Sequence, residues 1–140
     1  MAVLTKYQKS TSYATWTDIN PIFNPNTVTP LILSDAQSVL KCSIYALLNC
    51  MIGERAGIFE PEYGSALPYY LQEPIDGQTA EDIRMSLYTT FEKWEPRIEV
   101  RYEDILVEPD YTLPGYYVKV SAKYKPTQEL VSQEFMVTKQ

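Results

Sequence analysis

The residues that could carry chemistry in this sequence are mostly carboxylates. The chain contains no histidine, so it lacks the side chain that most often serves as general base, metal ligand or nucleophile activator. A pair of carboxyl groups facing one cleft would suffice for a glycosidase, and four glutamates fall in one glycine- and proline-rich stretch: Glu54, Glu60, Glu62 and Glu73. Each lies near a turn residue in an acidic chain, without a phosphate loop, nucleophile elbow or metal-ligand spacing. We therefore predict no enzymatic activity, with a glycosidase as the alternative.

Arginine is the second residue type with a distinctive placement, because every arginine lies between residues 55 and 101. Two belong to Glu-Arg motifs: Gly53-Glu54-Arg55 follows a helical segment, and Glu95-Pro96-Arg97 joins a helical segment to a strand. The planar guanidinium is suited to gripping a carboxylate with two hydrogen bonds. The motifs are therefore interpreted either as charged anchors for a neighbouring protein or as internal braces, while solvated surface charge remains the simplest alternative.

Two helices are predicted to position these motifs. The first begins at Ser34, where Ser34-Asp35-Ala36-Gln37 reads as a capping box before a 3.6-residue apolar period, and it ends at Gly53. The second begins with Thr79 as its N-cap and is stopped by Pro96. The connection between them is long and irregular, with one short helical turn predicted around residues 65–71.

Three strands are predicted after the second helix, because the apolar period changes from 3.6 to 2 over residues 97–102, 116–124 and 129–138. Turn residues at 109–115 and 125–127 favour an antiparallel meander packed on one face by the helices. Residues 1–33 read as an extended N-terminal arm, rich in Thr, Asn and Pro. The predicted fold is thus α+β: a single domain over 34–140, with two main helices on a small antiparallel sheet.

Composition excludes several classes of partner and ligand. The net charge of −6 disfavours nucleic acid, and from the residue pattern we expect neither a membrane span nor a signal peptide. Cys42 and Cys50 lie about 12 Å apart on one helix, so we expect free thiols, and we expect no metal or cofactor. The 12 tyrosines suit protein interfaces, and they suit equally well the edge of a strand or the cover of the core.

Several segments, spread over residues 16 to 108, together resemble the sheath-initiator (baseplate wedge) family of contractile bacteriophage tails, with relatives in type VI secretion baseplates. Gly-Glu-Arg alone is a weak signal, but the ordered series is fairly specific. One departure is the link 56–60, which is slightly longer than the family's. The segments are Asp18-Ile19 with Phe23, the capped helix from Ser34, Gly53-Glu54-Arg55, Pro61-Glu62-Tyr63-Gly64-Ser65, Leu71 with Glu73-Pro74-Ile75-Asp76, and Trp94-Glu95-Pro96-Arg97-Ile98.

The resemblance implies a structural subunit of the virion that is assembled in the host cytoplasm and present in several copies in a ring around the tail tube. Its expected partners are the baseplate wedge proteins and the tail sheath protein, with contact to the tube left open. The C-terminal strands would serve as a β-strand template for the sheath. The alternatives are a tail-associated peptidoglycan hydrolase, because the family once carried a lysozyme label, and a stand-alone regulatory binding module. The residues expected to act as interaction or structural anchors are Gly53, Glu54, Arg55, Gly64, Trp94, Glu95, Pro96 and Arg97.

Overall fold

The computed structural model describes residues 18–19, 32–33, 36–55 and 60–138. Its architecture confirms the predicted α+β class, with helices packed on a small antiparallel sheet. Most of the predicted arm lies outside the described residues, and the arm boundary at residue 33 stays a prediction. The elements in chain order are β1 (Asp18–Ile19), β2 (Ile32–Leu33), α1 (Ala36–Asn49), α2 (Leu67–Tyr70), α3 (Gly77–Trp94), β3 (Ile98–Glu99), a 3-10 helix (Tyr102–Asp104), β4 (Ile105–Asp110), β5 (Gly115–Tyr124) and β6 (Leu130–Thr138).

Strand β5 is the centre of the main sheet, and all its pairings are antiparallel. β6 pairs with β5 from Gly115, which is opposite Thr138, to Lys123, which is opposite Leu130. Because Lys123 also pairs with Glu99 of β3, β3 must lie on the opposite edge of β5 from β6. β4 pairs with residues 115–120 of β5, so it shares that opposite edge with β3. β1 and β2 form a separate two-stranded antiparallel pair.

The first predicted strand, residues 97–102, was wrong in extent. Only Ile98–Glu99 forms a strand there, and the chain then turns through the 3-10 helix into β4. β4 covers Pro109, which the sequence suggested as a turn. Lys125 N donates to Arg97 O (2.9 Å), so odd-numbered residues along β5 direct their backbone groups toward β3 and β4. Pro109 is opposite Tyr116, so its nitrogen points away from β5, and its missing N–H costs no ladder bond.

The ends of both main helices differ from prediction. The N-cap of α3 is Asp76 rather than Thr79: its backbone is extended and its carboxylate accepts a hydrogen bond from Thr79 N at 2.7 Å. That bond satisfies one of the unpaired N–H groups of the first turn and lowers the pKa of Asp76. Helix α1 ends at Asn49, before Gly53, because Cys50 O leaves the helix to accept from Ser65 N (2.8 Å). The predicted cap at Ser34 lies outside the described residues.

The core lies between the two long helices and one face of the sheet. Helix α3 contributes Ile83, Leu87 and Phe91, all at most 1% exposed. Alternate residues of β5 supply the sheet side: Tyr116, Val118, Val120, Ala122 and Tyr124. Helix α1 completes the cluster with Leu40, Ile44, Leu47 and Leu48. The predicted short turn between the helices is α2, and its Leu67 is also buried.

The two cysteines are free and half-buried, and burial raises the pKa of the Cys42 thiol, with a smaller contribution from the charge of Asp18. Within the described parts of the chain, no cluster of acidic or cysteine side chains could hold a metal ion. The same residues include no helix that is long and apolar enough to cross a membrane.

Candidate protein-interaction site

A buried ionic cluster lies where α1, α3 and β3 meet. The Glu95 side chain is 2% exposed and that of Arg97 is 20% exposed. Arg97 donates to both carboxylate oxygens of Glu95, from Nε at 2.5 Å and from a terminal nitrogen at 2.6 Å. Ser43 of α1 donates to Glu95 Oε2 (2.6 Å) and accepts from Arg97 (2.7 Å). The carboxylate is therefore satisfied inside the protein, and its contact raises the pKa of Arg97.

Local backbone geometry holds this cluster in place. Glu95 is the C-cap of α3, and its N–H donates to Phe91 O at 3.0 Å. Pro96 has no N–H and cannot continue the helix. Arg97 then accepts a hydrogen bond from Lys125 N (2.9 Å), which ties it to the end of β5. The three-residue motif therefore links helix to sheet, and Ser43 extends the link to α1.

The other Glu-Arg motif forms an exposed turn after α1. Gly53 has a φ of +90°, a conformation that glycine adopts without strain, and its N–H donates to Pro61 O at 2.9 Å. The Glu54 carboxylate accepts from Met51 N (3.0 Å). The Arg55 guanidinium lies 4.3 Å from the centre of the Tyr63 ring, a cation–π contact.

Tyr63 stands between the two motifs. Its ring contacts Trp94 edge-on, with ring centres 5.3 Å apart. Burial is the main cause that raises the pKa of Tyr63. The charge of Glu95 also raises it, whereas the charges of Arg55 and Arg97 lower it. On the outer side, Lys93 lies 4.9 Å from the Trp94 ring and pairs with Glu62 at 2.5 Å. We call the surface formed by Arg55, Tyr63, Lys93 and Trp94 the aromatic corner.

Gly64 allows the chain beside this corner to pass close to α1. Its φ is +132°, and a Cβ there would lie 2.5 Å from Cys50 O. Gly64→Ala is therefore expected to lower the free energy of unfolding by about 2 kcal/mol or more, from left-handed strain plus the clash. Urea unfolding tests this. Gly53→Ala is the matched control, because a Cβ there would meet nothing within 4 Å; equal losses for the two variants would contradict the argument.

The sequence analysis named both Glu-Arg motifs but missed several of the side chains that contact them. Ser43 was not predicted, although it occupies the i+3 position of the apolar stripe that begins at Leu40. A serine on a buried stripe is a signal for an internal hydrogen bond. The contacts of Tyr63, Lys93 and Glu62 with one another and with Trp94 were not predicted, because cation–π and aromatic contacts depend on three-dimensional placement rather than on spacing.

Comparison with known proteins gives one family. The sequence model of the family described as Baseplate wedge protein gp25 matches residues 34–123. The chain belongs to this baseplate wedge family. The matched region includes both Glu-Arg motifs and the aromatic corner, but it ends before β6. A baseplate role in a phage tail, in association with other baseplate components, is thereby supported for this gp25-family chain.

A solved structure supports the fold of the gp25-family chain independently. The crystal structure of a candidate tail lysozyme from Geobacter sulfurreducens superposes with a TM-score of 0.68 at 20% sequence identity. The alignment covers 79% of this chain and 97% of that one. At this identity the likeness concerns the fold alone. No curated protein sequence matches the chain.

Proposed function

We propose that this gp25-family protein is a structural, non-enzymatic subunit that joins the baseplate wedge to the tail sheath and starts sheath assembly by offering the outer edge of β6 to a sheath strand. In this role the protein would be assembled in the host cytoplasm and would be part of the virion, with several copies around the tail tube. The observation that carries it is the edge of β6: among the described residues, β6 pairs only with β5.

The direction of the backbone groups on β6 follows from its first hydrogen bond. Tyr124 N donates to Glu129 O at 2.9 Å, so Glu129 faces β5 and the odd-numbered residues after it do too. The even-numbered residues Ser132, Glu134 and Met136 therefore direct their N–H and C=O groups outward. An outward row of donors and acceptors is what an added strand needs for β-augmentation.

The two Glu-Arg motifs are proposed to have different roles. The Glu95-Pro96-Arg97 cluster is satisfied internally, which supports a brace that fixes the orientation of α1, α3 and the sheet. The aromatic corner offers an exposed arginine and a half-exposed lysine against two rings. Arginine, tyrosine and tryptophan are enriched at interface centres, although lysine is not. We propose this corner, with the Gly53-Glu54-Arg55 turn beside it, as the contact to a neighbouring wedge protein.

A seeding assay tests the sheath proposal. Purified sheath subunits mixed with baseplates that contain this protein should polymerise without the lag seen for subunits alone, while baseplates depleted of it should not shorten the lag. Readdition of the purified protein should restore seeding. Equal seeding by depleted and complete baseplates would contradict the proposal. Failure to incorporate into baseplates at all would instead favour the stand-alone regulatory module.

The peptidoglycan-hydrolase alternative has little geometric support. Glu62 pairs with Lys93, which lowers the pKa of its carboxyl, whereas the general acid of a glycosidase needs a raised pKa. A groove of about 970 Å³ beside α1 contains one carboxylate among its lining residues, Glu134. That carboxylate pairs with Lys119 at 2.7 Å, which lowers its pKa.

We therefore expect the purified protein to release no reducing sugar from peptidoglycan. Glu54→Gln, Glu60→Gln and Glu62→Gln should be indistinguishable from the parent protein in that assay, because all three carboxylates are exposed and none of them lines the groove beside α1. A known lysozyme serves as the positive control. Reproducible release that any of the three substitutions abolishes would show that the protein is an enzyme.

A further inference from the structure

The groove of about 970 Å³ runs between helix α1 and the outer edge of β6. Its lining includes every residue from Ser132 to Thr138. Consecutive strand residues point to opposite faces of a sheet, so a groove lined by all of them must follow the edge of the strand rather than one face. The helix side is contributed by residues such as Lys41, Cys42, Tyr45 and Leu48.

The chemistry of the groove fits a polypeptide. Gln133 Nε2 is buried and has no hydrogen-bond partner within the described part of the chain, so an occupant that supplies a carbonyl oxygen would satisfy it. The outward N–H and C=O groups of Ser132, Glu134 and Met136 face the same space. Leu48, Leu67 and Phe135 give the groove apolar contacts. An extended segment with alternating apolar side chains meets all three requirements.

The chain itself supplies a candidate segment in residues 1–17. Residues 1–17 precede Asp18 of β1, and the charge of Asp18 contributes to the raised pKa of Cys42, a groove residue. The charge of Asp18 also acts on Arg97, which contacts Ser43, so Asp18 lies beside the part of α1 that carries Cys42 and Ser43. Seventeen extended residues span about 56 Å, whereas the six steps from Ser132 to Thr138 span about 20 Å, so the segment is long enough to follow the whole edge.

The composition of residues 1–17 is also suitable. The segment holds two lysines and no acidic residue, whereas the remainder of the chain has 10 basic and 18 acidic residues, a difference of −8. It contains Val3, Tyr7, Tyr13 and Trp16 among several threonines, which are residue types that favour strands. Attraction between a positive segment and a negative body favours docking at low ionic strength.

We propose that residues 1–17 dock in this groove of their own chain as a strand added to the outer edge of β6. The docking is independent of the proposed function. Its consequence rests on that function: the segment and an incoming sheath strand would compete for the same backbone groups, so the edge would be covered until the baseplate displaces the segment.

Amide hydrogen exchange on the isolated protein tests the docking. Deleting residues 1–17 should speed exchange at the outward amides of Ser132, Glu134 and Met136 by about tenfold or more, because their hydrogen bonds are lost. The amides of Gln133 and Phe135, which face β5, should stay protected and report that the domain is folded. The amide of Val107, outward on the opposite edge, is the matched control and should not change.

A synthetic peptide of residues 1–17 added to the deleted protein should restore protection saturably, while a scrambled peptide should not. The full-length variant Tyr7→Asp with Tyr13→Asp should reproduce the deletion. Unchanged exchange at the three outward amides in both variants would overturn the docking, and protection that depends on protein concentration would overturn docking within one chain. Because no sheath is present, a later failure of sheath assembly would contradict only the proposed function.

Discussion

Replacing Arg97 with alanine is expected to lower the free energy of unfolding by about 3 kcal/mol, the low end of the range for breaking a buried ion pair because Arg97 keeps some contact with water. The substitution leaves the Glu95 carboxylate, which is 2% exposed, with Ser43 as its remaining partner in the cluster. A buried charge that has lost its counter-ion is strongly unfavourable. Domains of this size are stable by only about 5–15 kcal/mol, so urea unfolding should detect the loss readily.

The control for this experiment is Arg101→Ala, which removes the same charge from an exposed position and should change stability by less than about 0.5 kcal/mol. Ser43→Ala should fall between the two, because it removes a single hydroxyl from the cluster. If Arg97→Ala unfolds like Arg101→Ala yet fails to enter baseplates, the Glu95-Pro96-Arg97 motif is an interface anchor and the proposed brace is wrong.

The sequence predicted the fold class because helix and strand periodicities were strong where burial was greatest. Ile83, Leu87 and Phe91 on α3 are nearly inaccessible, and they follow one another at the four-residue spacing of a helix face. The wrong predictions concern places where two local features of the sequence favoured different structures. Thr79 and Asp76 are both good N-cap residues, and only the backbone geometry of Asp76 distinguishes them.

The missed strand β4 has a similar cause. Pro109 reads as a turn residue in isolation, but an edge position with its nitrogen turned outward removes the penalty. The sequence contains no local signal for which edge of β5 a strand will occupy. Register across β5 is set by side-chain burial on the shared face, which involves residues that are far apart along the chain.

The candidate site was predictable only in part. The Glu-Arg motifs could be found from residue type and position, but the buried state of Glu95 could not, because it depends on Ser43 of α1, 52 residues away. Burial of the charged side chains distinguishes the two interpretations of these motifs, an internal brace and an interface anchor. The structure makes Glu95 inaccessible and leaves Arg55 exposed, and this contrast motivates the two proposed roles.

The role of the β6 edge has to be tested with a point substitution rather than a deletion, because side chains of β6 are part of the hydrophobic core. Val131 and Val137 are 1% and 8% exposed, and β6 pairs with β5 along its whole length. Deleting the C-terminal residues would remove that apolar surface and leave β5 unpaired on one side. Loss of sheath in such a truncated protein would therefore follow from misfolding as readily as from loss of a template.

The substitution Ser132→Pro alters only the outward-facing backbone of β6. The N–H of Ser132 points away from β5, so proline removes one outward donor and leaves the β5 ladder intact, as proline in edge strands generally does. Its ring also blocks the approach of an added strand. Ser132→Ala is the matched control, because it removes the exposed hydroxyl but keeps the N–H. Both proteins should unfold cooperatively and enter baseplates in normal amounts.

Electron micrographs of particles assembled with these two variants test the central claim most directly. If the outer edge of β6 is the template for the sheath, particles with Ser132→Ala should carry extended sheaths that start at the baseplate. Particles with Ser132→Pro should show intact baseplates with bare tubes. Full-length extended sheaths on baseplates that contain folded Ser132→Pro protein would contradict the strand-template account.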